Sequence, residues 1–300
     1  MSQGLNEALL ARMTLRRMPF NYTEGADAHW NRNKPEFSQI VNSASMAMPY
    51  LEPYLIRSMR EVRSKISDPV LQDQLDQYVY QEAQHYQQHR KYNDSISAQY
   101  ACASSIEERL AQDYKKLERD KSLRFNLAYA EGFESMALAI GHMLIEDREY
   151  LFGDADSTVA SLILWHFIEE IEHKNVAFDV FEHLYGSYFW RMVGLVYATG
   201  HIFLRTGQGY RSLLREDGLW NNFKSRKRHT RVLLRIFRQL IPKWLRIWKP
   251  GYHPSQVRDS QWASDWAAIY TRDPLQSAQL DTTRFNEAHP VALSTQQGTT

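Results

Sequence analysis

Apolar positions recur at three- and four-residue steps through most of this chain, and strict alternation is sustained nowhere. The spacing predicts a helix from Phe37 to about Lys65, with Pro53 inside it as a kink beside Glu52. Ser67-Asp68-Pro69 reads as a polar cap followed by a first-turn proline, opening a second helix that runs to about Tyr92. A third covers about Ser105 to Glu149, with a break near Lys121. After the turn at Gly153-Asp-Ala-Asp-Ser157, a fourth runs from about Thr158 to Leu184 and ends at Tyr185-Gly186. No hairpin signal separates these runs. An all-α fold is therefore expected.

Four segments follow from the pattern. Residues 1–34 are polar and irregular, 35–186 carry the four main helices, 187–258 form a further helical region, and 259–300 read as a short helix (Gln261 to Tyr270) and a polar, mobile tail. The most apolar stretch, Phe189 to Leu204, is broken by Arg191, Gly194, Gly200 and His201. It is too short to cross a hydrocarbon core of about 30 Å, so a buried or surface-bound helix is expected.

Composition narrows the function classes. The 300 residues carry a net charge of +1 and one cysteine, Cys102, so an internal disulfide framework is excluded and a cysteine-built metal site is not expected. Residues 1–20 lack the uninterrupted apolar run of a secretory signal, which makes a cytoplasmic location the expectation. Charge is unevenly spread. Residues 219–258 hold eleven Lys or Arg and no acid, leaving −10 for the rest of the chain.

The chemistry sits in two strings, Glu82-Ala-Gln-His85 and Glu170-Ile-Glu-His173. Each places a carboxylate and an imidazole on adjacent turns of one helix face. Glu52 precedes the first and Glu131 lies between them. Glu, Glu-x-x-His, Glu, Glu-x-x-His is the ligand order of a dinuclear centre inside a four-helix bundle. In that reading Glu82 and Glu170 bridge two metals, Glu52 and Glu131 come from the other two helices, and His85 and His173 are terminal. Four buried carboxylates are tolerable only if cations neutralise them. Hard oxygen donors with a few imidazoles point to two iron ions, with manganese or zinc as alternatives. Glu134, three residues after Glu131, shares its face. Glu169 and Glu172 rank lower because no histidine follows three residues later. His166 and His89 lie on the ligand faces, His166 as a seventh ligand and His89 as a hydrogen-bond partner, or each as a core histidine with a satisfied ring.

The run Trp165 to Val180, Gln81-Glu-Ala-Gln-His85 with His89, and Lys249-Pro-Gly-Tyr-His-Pro254 resemble the signature of bacterial proteins named predicted metal-dependent hydrolases, over roughly residues 35–260. The departure is Gly132, where that family commonly places a histidine after the glutamate. The ligand pattern is also similar to ferritin-like di-iron oxygenases, and His166-x3-Glu170-x2-His173 resembles the three-histidine site of di-iron arylamine N-oxygenases. These resemblances imply a ferritin-like bundle with additional C-terminal helices. Oxygen-dependent oxidation of an organic or lipid-like substrate, with electrons from an external donor, ranks first. Two-metal hydrolysis ranks second, and metal storage third.

Residues 224–249 read as a basic, tryptophan-bearing amphipathic helix bent at Pro242. A core-packing helix with a solvated basic face is the first reading. An anionic membrane surface is the second, and would place the protein peripherally on the inner membrane with a lipid-like substrate entering sideways. No nucleic-acid-binding fold accompanies the charge, so nucleic acid is not an expected partner.

Overall fold

A computed structural model describes residues 13–22 and 25–294 of the chain. Among them there is no strand, only an isolated bridge between Leu280 and Ala292. Helices supply the architecture. The single helix expected from Phe37 is two, α1 (Pro35–Ser45) and α2 (Met48–Val62). Pro49 explains the break: it is accommodated in the first turn of α2, where its missing N–H costs nothing, and Pro53 stays inside. In α3 (Pro69–Ser97) the Asp68 carboxylate caps the first turn, accepting from the Val70 N–H at 2.8 Å.

After α4 (Ala103–Asp120), Ser122 caps α5 (Leu123–Glu146), and the short α6 (Arg148–Phe152) follows. The expected helix over 158–184 is also two, α7 (Ser157–Glu172) and α8 (Val176–Leu184). His173 is the residue that ends α7, so the second Glu-x-x-His spans a helix terminus. Two long helices follow, α9 (Tyr188–Glu216) and α10 (Phe223–Ile247), then α11 (Gln261–Arg272) and α12 (Pro274–Ser277).

Helix α5 is buried over nearly its whole circumference, as an axial helix must be. It packs on α2, α7, α8, α9 and α10, while α3 packs on α2, α7 and α8. Thus α2, α3, α5 and α7 share one interior. The closest approach is between α5 and α9. A β-carbon on Gly194 would collide with the Ala128 carbonyl, and one on Gly132 with the backbone of Leu195. Gly132 is therefore needed for packing.

The ends of the chain are tied down. Residues 13–22 form no helix and run across α3 and α7. The Met13 N–H donates to Gln77, while Gln81 and Gln88 donate to the carbonyls of Thr14 and Met18. The rest of the irregular segment, 1–12 and 23–24, lies outside the described residues. The mobile tail expected after α11 is packed as far as 294. Trp266 and Phe285 are buried, Leu280 N–H donates to Ser161, and Thr282 donates to the Ala155 carbonyl. Buried aromatic rings in an otherwise polar stretch account for the difference. Residues 295–300 lie outside the description. No helix among the described residues is long and apolar enough to cross a membrane.

Candidate metal centre

Each of α2, α3, α5 and α7 sends acidic side chains into the shared interior. Two groups of donor atoms result, each within 4.8 Å of one another: Glu52, His85 and His166, and Glu82, Glu134, Glu170 and His173. All seven residues are buried. The groups adjoin through two carboxylates. Glu170 Oε1 lies 3.2 Å from His166 Nε2 and 3.6 Å from His85 Nδ1, and its Oε2 lies 3.2 Å from His173 Nε2. Glu82 Oε1 likewise faces His173 Nε2 at 3.3 Å and His85 Nδ1 at 3.8 Å.

The helix α5 contributes Glu134, where the sequence pattern put Glu131. Glu134 Oε2 is 3.4 Å from His173 Nε2, and its other oxygen accepts from the Tyr78 hydroxyl at 2.8 Å. Glu131 is equally buried but lies outside both groups, accepting from the Ser135 hydroxyl at 2.9 Å in the field of Arg191. Three residues along a helix turn a side chain by about 60° short of a full circle, enough to aim Glu131 and Glu134 at different neighbours.

The imidazoles are oriented from behind. Gln81 Oε1 lies 3.0 Å from His173 Nδ1, leaving Nε2 to face the carboxylates. Glu169 Oε2 lies 3.1 Å from His85 Nε2, leaving Nδ1 inward, and Glu169 is itself held by the Arg16 guanidinium at 3.0 Å. Arg16 also makes a bidentate pair with Glu172. His89 stands behind His166, with Nε2 2.8 Å from His166 Nδ1 and Nδ1 2.7 Å from the Ser45 hydroxyl. The sequence pattern ranked Glu169 low as a ligand and gave Gln81 and Tyr78 no orienting role, because nothing in their spacing shows which ring or carboxylate they back. Arg16 lies in a segment without periodicity, so no spacing rule reaches it.

Charge is the unresolved quantity in this interior. Among the described residues no lysine or arginine pairs with Glu52, Glu82, Glu134 or Glu170. Burial, then the charges of Glu170 and Glu134, pushes the Glu52 carboxyl well above the usual range. Burial with the same two neighbours does so for Glu82, and burial with Glu170 lifts Glu134 to about 8. Burial also opposes ionisation of Glu170, but the His173 and His166 rings hold it well below the usual carboxylate range. His85 is driven well below a normal imidazole by burial and by His166. Both oxygens of Glu52 and of Glu82, Oε1 of Glu170, Oε2 of Glu134 and Nδ1 of His85 have no hydrogen-bond partner among the described residues. Buried polar atoms left unpaired are costly. Seven unpaired oxygen and imidazole atoms on five residues, facing one another and the Nε2 atoms of His166 and His173, fit divalent or trivalent cations.

Beside the centre lies a cavity of about 490 Å³, within the range of ligand pockets. His89 and His166 form its inner wall. Among the described residues no Lys, Arg, Asp or Glu lines it, and most of its surface is carbon from Phe133, Met136, Ile163, Ile236 and their neighbours.

Comparison with the curated proteins and with the solved structures gave no significant match. A family model matches residues 14–258, a span that holds every donor named above. The chain belongs to the family described as predicted metal-dependent hydrolases.

Proposed function

We propose that this protein is a dinuclear metal enzyme of ferritin-like four-helix-bundle type that uses dioxygen to oxidise an apolar organic substrate. The observation that carries the reading is the pair of adjoining donor groups, with Glu82 and Glu170 each facing histidines of both. Glu52, His85 and His166 would hold one metal and Glu134 and His173 the other, with Glu82 and Glu170 between them. As two iron ions, the group would supply four-electron reduction of dioxygen, one oxygen atom entering the substrate and one leaving as water, with two electrons and two protons from an external donor.

The chain's own contribution is positional. Glu169 and Gln81 fix which ring nitrogen of His85 and of His173 points inward. The carbon-lined cavity excludes water and presents a substrate to the His166 side of the centre. The further imidazole in its wall, His229, is tied to the Tyr210 hydroxyl at 2.6 Å, and the predominance of carbon around it favours an apolar substrate. The second reading, two-metal hydrolysis, is favoured by the family description; there the metals would lower the pKa of a water to near 7.

Metal analysis of anaerobically purified protein, then Mössbauer spectroscopy of an iron-reconstituted sample exposed to oxygen, separates the two. Two irons per chain that become a coupled ferric pair, with oxygen uptake dependent on iron and reductant, is the expected result. Zinc or manganese with turnover indifferent to oxygen would replace oxidation by hydrolysis, and no stoichiometric metal would overturn both.

A further inference from the structure

We propose that the exposed face shared by α9 and α10 docks on an anionic bilayer, and that the cavity behind it takes one hydrocarbon chain from that bilayer, end first, towards His166. That this chain is the substrate rests on the oxidative reading above; docking and chain binding do not.

The face is built from two apolar stripes that the core does not use. Helix α10 buries Val232, Leu240 and Ile247. On another side, at steps of three, four and four, it exposes Leu234 (66 %), Phe237, Ile241 and Leu245. Helix α9 exposes Phe189 (68 %), Val196 and Phe203 at seven-residue steps, with Leu204 beside them. The stripes meet where the Phe203 and Phe237 rings stand edge to face, 6.1 Å apart. Large apolar side chains exposed in a row mark an interaction surface.

Charge identifies the partner. Residues 219–258 contain eleven basic side chains and no acid. Arg228, Arg235 and Lys243 are consumed by Glu36, Asp147 and Glu146. Lys227, Arg231 and Arg238 flank the α10 stripe, are exposed, and make no ion pair with any described residue. Apolar residues at helical spacing, flanked by free cations, suit a layer of hydrocarbon under anionic headgroups.

The cavity opens at this same place. Phe203, Phe237 and the exposed Gly207 all line it, and His89 and His166 close its far end. Its mouth therefore lies in the face that would meet lipid, and its wall offers no countercharge to a headgroup. A molecule with a long apolar tail fits such a passage tail first, with its polar end left at the mouth.

Gly207 supplies the test, because a β-carbon there meets no atom within 4 Å and the helical backbone is unstrained. Gly207→Leu should plug the mouth. Gly200→Leu, on the same helix with equal room but outside the cavity lining, is its control. Metal-free full-length protein is titrated with the fluorescent polyene parinaric acid, with hexadecane as competitor. It is also sedimented with phosphatidylglycerol and with phosphatidylcholine vesicles at low and high salt.

The expected results are parinaric acid binding that hexadecane displaces, weakened about tenfold or more by Gly207→Leu and unchanged by Gly200→Leu. Binding to phosphatidylglycerol should be at least about tenfold tighter than to phosphatidylcholine, and lost in high salt or in the Leu234→Glu/Ile241→Glu double variant. Hexadecane competition needs no variant, so a misfolded Gly207→Leu does not spare the proposal. Parinaric acid that fails to bind or is not displaced, or vesicle binding that is absent or indifferent to lipid charge, overturns it. Since neither readout involves metal, such a failure leaves the dinuclear centre standing, and failure of metal binding alone leaves docking standing.

Discussion

At the residue scale, the difference between Glu131 and Glu134 is the sharpest test of the centre. Glu134→Gln should lose at least one metal per chain, and Glu131→Gln should retain both, as read by metal analysis after dialysis. Glu131 has its own signature. Burial lifts its carboxyl to about 8, so in the folded protein it keeps a proton that the unfolded chain gives up near 4.5. Its contribution to stability is fully present below about 4.5 and is lost as pH rises towards 8. Denaturant titrations at several pH values should show wild-type stability falling through that window more steeply than that of Glu131→Gln. Glu169→Gln, which removes the charge between Arg16 and His85, should weaken metal binding about 10–100-fold without unfolding the chain, as read by chelator competition. Six of the residues brought together were legible because Glu-x-x-His fixes a face by itself, His166 falls four residues before Glu170 on that face, and Glu52 precedes the first motif in the expected ligand order. The choice on α5 was not, because a helix buried all round has no amphipathic stripe to show which way a glutamate points.

At the element scale, helix order and the break at Lys121 could be read from caps and periodicity, whereas the breaks after Ser45 and at His173 could not. In both places apolar spacing continues through the break, so the signal carries no boundary. The crossing of α5 and α9 depends on Gly132 and Gly194. Gly194→Ala should destabilise the protein by about 1–3 kcal/mol or more, because backbone opposes the new methyl and no flexible side chain can yield. Gly200→Ala, exposed on the same helix with nothing nearby, should stabilise it by about 0.5–1 kcal/mol. Thermal or urea unfolding of the two variants checks both signs. The finding also accounts for glycine at position 132: a side chain there would have no room beside Leu195.

At the scale of the whole molecule, the metal-free protein carries a cluster of buried acids that no lysine or arginine among the described residues neutralises, and binding of metal to the folded state alone must raise stability. Saturation at about 100 times the dissociation constant should add about 2.7 kcal/mol per site, seen as a rise in thermal midpoint with free metal. The basic region was legible as a helix. Which of its apolar positions face the core was not, because spacing alone does not separate buried Leu240 from exposed Ile241, and only the packed partners tell them apart. The segment over residues 13–22 has a consequence in time. Its partners include Gln77, Gln81 and Gln88 on α3, Glu169 and Glu172 on α7 and Tyr270 on α11, up to 253 residues further along the chain. On the ribosome it emerges before all of them and must wait, unseated, until α7 has been made. For this segment the order of synthesis runs against the order of seating: Arg16 is made long before Glu169, the carboxylate that joins it to the His85 ring, and that link can close only once α7 exists.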